Sequence, residues 1–230
     1  MCPGDSSLPA GCTKLKRWFL GTLATVLVIA VLGAVAWFTP LFSVRQFEVE
    51  GQEHTTEAEI IEASGIRGGE NLLRLDYNKA ATQVYELPWV KEVKATYSLP
   101  STVRIAVEER TPLVWIARPE GIALVDESGQ PFVIAEPPMG TVEVSGAAQG
   151  SLPDLAKIVE VAKSLGDQRP LVARIDAASP RDIVLELHDG RRVRWGAAED
   201  NHDKARALKV VLSQEGQEWD ISDPTLVTVR

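Results

Sequence analysis

Residues 90–107, VKEVKATYSLPSTVRIAV, carry the clearest structural signal in this chain. On each side of Leu99-Pro100-Ser101, apolar residues alternate with polar ones, which is typical of strands with one buried and one exposed face. The central Pro predicts a turn between the two runs, so we expect a β-hairpin. The alternating apolar residues are Val93, Ala95, Tyr97, Val103, Ile105 and Val107.

The residues before this hairpin predict one strand and two helices. Alternation from residue 42 to 49 indicates a strand that ends at Gly51. Thr56 opens a capping-box sequence and Gly65 closes that helix; Asp76 is a typical first residue for a second helix, which Pro88 should stop. The order strand-helix-helix-strand-strand predicts a three-stranded sheet with two helices on one face.

After Pro112 the sequence changes to short strand-like runs separated by turn residues, with two helical stretches between them. We therefore expect a second, mixed α/β domain that begins near Thr111. Ser151 is the expected cap of the first of its helices, and Asp189-Gly190 is a hairpin turn signal. The predicted strands are 113–117, 122–125, 131–135, 172–176, 183–187, 192–195 and 226–229, and the predicted helices are 152–165 and 197–215.

Residues 18–38 form an uncharged apolar run. As a helix, this run would be about 30 Å long, which matches the hydrocarbon thickness of a bilayer. Lys14, Lys16 and Arg17 precede it, so the positive-inside rule predicts a cytoplasmic tail at residues 1–17 and export of everything after residue 38.

Two alternatives concern this N-terminal region. Ala34-Val35-Ala36 has the form of a signal-peptidase site, so a cleaved signal peptide competes with a membrane anchor. Both cysteines, Cys2 and Cys12, precede the apolar run; they are either incidental reduced thiols or, at Cys12, a site of lipid attachment. The exported part has no cysteine and must fold without disulfides.

Catalytic and metal-binding patterns are weak. His54, His188 and His202 have no partner at metal-ligand spacing, and the adjacent acid pairs Glu108-Glu109 and Glu199-Asp200 fit solvated charge better than catalysis. A net charge of −8 argues against nucleic-acid binding. We expect a non-enzymatic protein with no cofactor and no metal.

The last residues of the chain are the feature that indicates a partner. Leu226 to Val229 are β-prone and uncharged, and the chain ends directly after them. A terminal strand can pair on one side with its own sheet and offer free backbone groups on the other, which is a template for a partner strand. The alternative is a strand buried between neighbours, or an edge that is protected because it is short.

Four dispersed motifs, in this order behind the apolar run, resemble the FtsQ/DivIB family of bacterial cell-division proteins, and the resemblance covers nearly all of residues 14–230. The motifs are Phe47-Glu48-Val49-Glu50-Gly51; Leu87-Pro88-Trp89-Val90 followed by Val93; Leu99-Pro100 with Val103 to Val107 and then Glu109-Arg110-Thr111-Pro112; and Val125-Asp126-Glu127-Ser128-Gly129.

The resemblance implies an α+β fold: a single N-terminal transmembrane helix at 18–38, a POTRA domain at 42–110 and a mixed α/β "β domain" at 111–230. It also implies a non-enzymatic scaffold at the division septum of the bacterial plasma membrane. Such proteins bind FtsB, FtsL and other divisome membrane proteins and link early division proteins to septal peptidoglycan synthesis.

In the family, the last strands of the β domain add a strand of FtsB. The residues here that match this contact region are Trp219, Ile221, Ser222, Thr225, Leu226, Val227, Thr228 and Val229. Ser222 stands where the family often has Arg. Two other functions stay open: a POTRA-containing export or assembly component, and an enzyme secreted after cleavage at Ala36.

Overall fold

A computed structural model describes residues 23–31, 33 and 42–229. Residues 23–31 and 33 are helical and exposed. The expected cytoplasmic tail, both cysteines, the Ala36 cleavage site and most of the predicted transmembrane helix at 18–38 lie outside the described residues. Within the described ranges, no helix combines the length and the apolar character that a membrane crossing requires.

The chain divides into two compact units. The first contains the residues up to Tyr85 together with Val93–Val107, and the second contains Glu86–Glu92 and everything from Glu108 onwards.

The first unit has the predicted order of elements. Its three strands form a sheet in the order β1-β3-β2, in which β1 runs parallel to β3. Its elements are β1 (Gln46–Glu50), α1 (Glu57–Ser64), α2 (Tyr77–Tyr85), β2 (Val90–Ser98) and β3 (Thr102–Glu109). The first residues of β2 and the last residues of β3 are assigned to the second unit.

The helix ends follow the sequence signals. Thr56 and Glu59 form both bonds of a capping box, and Gly65 adopts the left-handed conformation, φ 67°, that ends α1. The Asp76 carboxylate accepts the Lys79 amide at 3.0 Å at the start of α2. Helix α2 ends at Tyr85. Pro88 disfavours helical φ and ψ angles at Leu87, the residue before it, so the helix cannot continue to the proline.

Strand β1 begins at Gln46, so the predicted start at residue 42 is wrong. The preceding residues pair elsewhere: Ser43 forms an isolated bridge with Asn71, and Val44 exchanges backbone hydrogen bonds with Glu70 and Gly69 at 2.8 and 2.9 Å. Apolar alternation identified an extended segment here but not its pairing partner.

The second unit is built on one nine-stranded sheet in the order β12-β11-β10-β9-β8-β7-β4-β5-β6. Its elements are β4 (Pro112–Arg118), β5 (Gly121–Asp126), β6 (Pro131–Ile134), β7 (Val142–Ser145), α3 (Leu152–Ser164), β8 (Val172–Ser179), β9 (Asp182–Leu187), β10 (Arg192–Gly196), α4 (Asn201–Leu212), β11 (Glu218–Asp220) and β12 (Thr228–Val229).

Several predicted boundaries of this unit are wrong. Strands β7 and β11 were not predicted, because they have only four and three residues, too few for a periodic pattern to be recognised. Helix α4 covers only Asn201–Leu212 of the predicted 197–215. Gly196 and Asp200 have positive φ angles, 74° and 51°, and residues 197–200 between them and the helix are therefore not helical. Ser151 stands at the N-cap of α3, but its side chain makes no capping bond. The final strand covers only Thr228–Val229 of the predicted 226–229.

Helices α3 and α4 pack against one face of this sheet. The fully buried side chains of that core include Ile158, Leu165, Ile175, Leu185, Trp195 and Leu208. The other face carries charge on successive strands: Arg174 bridges Glu143 at 3.0 Å and Glu186 at 3.6 Å, and Arg192 also contacts Glu186 at 3.6 Å. An alternation of this kind keeps an uncovered sheet face soluble.

Candidate partner-binding edge

The nine-stranded sheet has two edges, β6 and β12. Pro131 begins β6, and Pro137 and Pro138 follow it closely, which discourages a further strand on that side. Strand β12 contains no proline. We call the residues from Glu218 to Val229 the C-terminal edge.

The pairing of β11 with β10 establishes which backbone groups of β11 are already used. The strands are parallel, the Arg192 amide donates to the Gln217 carbonyl at 2.9 Å, and the Ile221 amide donates to the Arg194 carbonyl at 2.9 Å. In this pattern the N–H and C=O of Trp219 face β10. The backbone groups of its neighbour Asp220 therefore face β12.

The orientation of β12 follows from its pairing with β11. Thr228 lies opposite Asp220 in an antiparallel pair, so its amide and carbonyl face β11. Backbone groups alternate in direction along a strand. The Val227 carbonyl and the Val229 amide share peptide units with Thr228 and therefore point away from the sheet, and within the described residues no further strand pairs with them. We expect the Val227 amide, one residue before β12, to follow the same alternation.

The predicted contact residues fall into two groups. Trp219 and Ile221 are buried, with exposed fractions of 6% and 0%, and belong to the core under α4. Leu226 and Val229 are exposed, at 66% and 53%. Val227 is half-buried against the core, and the remaining members, Ser222, Thr225 and Thr228, are exposed. The buried pair anchors the edge, and the exposed pair is open to contact.

Two short turns join β11 to β12. Asp220 Oδ1 accepts the Ser222 amide at 2.9 Å and its hydroxyl at 2.6 Å. Asp223 Oδ1 accepts the Thr225 amide at 2.9 Å and its hydroxyl at 2.7 Å, and these bonds lower the pKa of the Asp223 carboxyl. The Leu226 amide then donates to the Asp223 carbonyl at 3.1 Å. The loop is therefore held by its own side chains.

The loop also lies close against the end of β10. A Cβ atom on Gly196, whose φ is 74°, would approach the Ser222 Cβ to 2.8 Å. Nearby, the buried Lys204 of α4 donates from Nζ to the Ala197 carbonyl at 2.8 Å. Burial lowers the pKa of Lys204, and Asp200 partly opposes that shift.

The sequence placed Asp220 in the matching contact region without assigning it a role, and sequence reasoning missed Asp223, Gly196 and Lys204. The pattern Asp-x-Ser followed by Asp-Pro-Thr is the signal that could have found the two turns, since both are Asx-turn sequences. Nothing in the sequence indicates the close approach at Gly196 or the contact of Lys204, because both depend on how α4 packs.

A cavity of about 210 Å³ lies beside the C-terminal edge, on the face of the sheet that carries no helix. Its lining residues are Val184, Arg192, Arg194, Glu218, Trp219 and Asp220. In the part of the chain that the structure describes, no three His, Cys, Asp or Glu side chains are grouped to hold a metal ion.

Comparison with known families places both units in one class. A POTRA domain of the FtsQ type matches residues 42–110, and the C-terminal domain of cell division protein FtsQ/DivIB matches residues 113–227. The class is thus a POTRA-bearing cell-division protein.

Individual relatives agree with this class. The cell division protein FtsQ of Corynebacterium glutamicum is 43% identical over 209 residues, which cover 89% of this chain and 94% of the relative. The FtsQ of Mycobacteroides abscessus is 35% identical over 226 residues, which cover 96% of this chain and 73% of the relative. The chain belongs to the FtsQ/DivIB family of bacterial cell division proteins, which confirms the resemblance seen in the sequence.

Among solved structures, the major extracytoplasmic domain of DivIB from Geobacillus stearothermophilus aligns with 47% of this chain and 99% of its own length. The TM-score is 0.35 and the identity is 11%, so this alignment adds nothing to the family assignment.

Proposed function

We propose that this protein is a single-pass membrane scaffold of the divisome that binds FtsB and FtsL through its C-terminal edge. The observation that supports this proposal best is the outward direction of the backbone groups of Val227 and Val229. An added strand would satisfy these groups, which is the physical basis of recognition by β-augmentation.

The edge offers more than hydrogen bonds. Leu226 and Val229 expose apolar surface beside the free backbone groups. An added strand would cover that surface, which favours association. Since β12 has only two residues, the backbone bonds alone are few, and we expect these side chains to supply a substantial part of the affinity.

The proposed topology places residues 1–17 in the cytoplasm, residues 18–38 across the membrane, and a POTRA domain (42–110) and β domain (111–230) outside. The charge asymmetry around the apolar run and the extents of the two family matches support this arrangement. A tethered ectodomain can gather other divisome membrane proteins at the septum, and in this way connect early division proteins to septal peptidoglycan synthesis.

The proposal gives the protein no catalytic step. The relatives are named as cell division proteins rather than as enzymes. The contacts that distinguish the C-terminal edge are backbone pairing and turn hydrogen bonds, which support a role in docking.

The test is binding of the full chain, purified in detergent, to the exported parts of its own FtsB and FtsL. In Val227→Pro, one outward-facing donor of the C-terminal edge is lost. The matched control is Ile134→Pro at the opposite edge: Ala135 donates to Ile122, so the backbone of Ile134 also points away from the sheet.

We expect Val227→Pro to weaken binding about tenfold, as for one or two lost hydrogen bonds and a disturbed contact, and Ile134→Pro to leave it unchanged. Thermal unfolding of both variants verifies that they are folded. Val229→Pro, which removes the other outward donor, replaces Val227→Pro if that variant does not fold. Unchanged affinity in a folded edge variant would reject the C-terminal edge as the binding site.

A further inference from the structure

Strand β12 is too short to define its own register. It forms two pairs with β11, Trp219 with Val229 and Asp220 with Thr228, after a connection of seven residues, 221–227. A slip by one residue would turn the groups of Thr228 outward and those of Val227 and Val229 inward, and would exchange the two faces. The outward groups that form the docking edge therefore depend on what holds the connection.

The connection is held by two consecutive carboxylate turns. Asp220 Oδ1 closes the first through Ser222, at 2.9 and 2.6 Å, and Asp223 Oδ1 closes the second through Thr225, at 2.9 and 2.7 Å. Pro224 lies inside the second turn and fixes its own φ near −65°. Because the second turn delivers the chain to Leu226, it sets where β12 begins.

We propose that Asp223 is a positioning residue for partner docking: its carboxylate fixes the register of β12 so that Val227 and Val229 present their backbone groups outward. This inference rests on the proposed function, since it concerns the same edge. It differs in mechanism, because Asp223 acts through the loop and not by touching the partner.

Asp223 is suited to this role because its side chain has no part in the core. It is exposed, and its carboxylate accepts hydrogen bonds from Thr225 in its own loop. Its replacement should alter the register of β12 without removing core packing. Asp220 acts on the same loop, but it also forms part of the β11 ladder, so Asp223 gives the cleaner test.

The experiment compares Asp223→Ala with Asp223→Asn in the full chain in detergent. Asn keeps an Oδ1 acceptor that can close the same turn, whereas Ala removes it. Two quantities are measured: hydrogen exchange of the Thr228 amide in the free protein, and affinity for the exported parts of FtsB and FtsL.

For Asp223→Ala we expect faster exchange of the Thr228 amide and a loss of affinity of about five- to tenfold, as when one or two net hydrogen bonds are lost. For Asp223→Asn we expect both quantities within about twofold of the parent chain, because the turn persists. The temperature of thermal unfolding should be the same in all three proteins.

Three results would overturn the inference. If Asp223→Ala keeps Thr228 protected and binds normally, the turn does not position the strand; if Ala and Asn weaken binding equally, the charge itself contacts the partner. A loss of binding in Val227→Pro without one in Asp223→Ala rejects the positioning role and leaves the proposed function intact. Normal binding in Val227→Pro rejects the proposed function, and Thr228 exchange still tests the register.

Discussion

Thr228 lies directly opposite Asp220, and this one pair determines which side of β12 faces outward. The hydrogen bonds of β11 to β10 use the backbone of Trp219, so Asp220 must bond towards β12. Thr228 completes that bond, which leaves Val227 and Val229 as the residues with free backbone groups. The outward direction of these groups is thus set by strand register.

The contact between Gly196 and Ser222 predicts a specific sensitivity at the end of β10. In Gly196→Ala, an L-residue at φ 74° is strained and its Cβ meets Ser222, so we expect a loss of about 1–3 kcal/mol in the free energy of unfolding and weaker partner binding. Urea unfolding and the binding assay measure the two effects.

Gly190→Ala is the matched control, because Gly190 also has a left-handed φ of 88° but no heavy atom within 4 Å of the added Cβ. It should share the strain and leave binding normal. Equal loss of binding in both glycine variants would contradict a role for the Ser222 contact.

Trp195 should be the most costly single truncation in the core under α4. It is fully buried and donates from Nε1 to Asn201 Oδ1 at 3.0 Å. We expect Trp195→Ala to lower the free energy of unfolding by about 3–5 kcal/mol, through the lost transfer energy and the cavity that remains. Denaturant titration measures this change.

The control for this truncation is Val210→Ala, on the exposed face of the same helix. It should change stability by less than about 0.5 kcal/mol. If the two variants unfold at similar denaturant concentrations, Trp195 does not anchor the core as the packing indicates.

Asp126 predicts how the second unit responds to acid. Burial alone would raise the pKa of Asp126, but hydrogen bonds from Ser128, Gln130 and Arg110 outweigh it and lower the pKa below its ordinary value. Folding therefore favours the ionised carboxylate. Its contribution to stability is full above the unfolded pKa of about 3.9 and disappears as the pH falls through the lower folded pKa.

Unfolding of the parent chain and of Asp126→Asn, measured from pH 7 down to acid, tests this expectation. The stability difference between the two proteins should be constant near neutral pH and should shrink below about pH 4. Parallel stability curves down to the acid limit would show that this carboxylate is not linked to folding.

The elements with long periodic signals could be predicted from sequence, and those defined by pairing could not. The Thr56 capping box, the Asp189-Gly190 turn and the alternation in β2 and β3 gave correct elements because local chemistry sets them. Strand β11 was missed because its one apolar residue, Trp219, stands between two acids. Its strand character comes from the neighbouring β10, which sequence periodicity does not report.

The candidate edge could be located from sequence but not oriented. The uncharged β-prone residues 226–229 predicted a strand with a free side, and the structure has that strand at Thr228–Val229 only. Which amides point outward depends on the parallel pairing of β10 and β11. Helix α4 separates these two strands in the sequence, so periodicity does not reveal that they pair. The roles of Trp219 and Ile221 as buried anchors likewise depend on the packing of α4.

The proposed membrane anchor predicts that a charge within residues 18–38 blocks insertion. Leu27 is helical and exposed. Arg at the centre of a membrane helix costs about 2.5–3.5 kcal/mol on insertion scales, so Leu27→Arg should shift the protein out of the carbonate-washed membrane fraction. Leu171→Arg, at an exposed position of the second unit, is the control.

If both variants remain in the membrane fraction equally, residues 18–38 are not the segment that anchors this chain. Binding of Leu27→Arg to the exported parts of FtsB and FtsL should be normal, because the substitution lies far outside the C-terminal edge in sequence. A loss of that binding would contradict the separation of anchoring from docking.

Hydrogen exchange resolved to single amides, measured with and without the exported part of FtsB, tests the central claim most directly. If a strand is added at the C-terminal edge, exchange at Val227 and Val229 should slow by tenfold or more, roughly the effect of one new hydrogen bond each, while Ile134 stays unchanged. If FtsB binds and the exchange of Val227 and Val229 stays as fast as in the free protein, the partner docks elsewhere and the account is wrong.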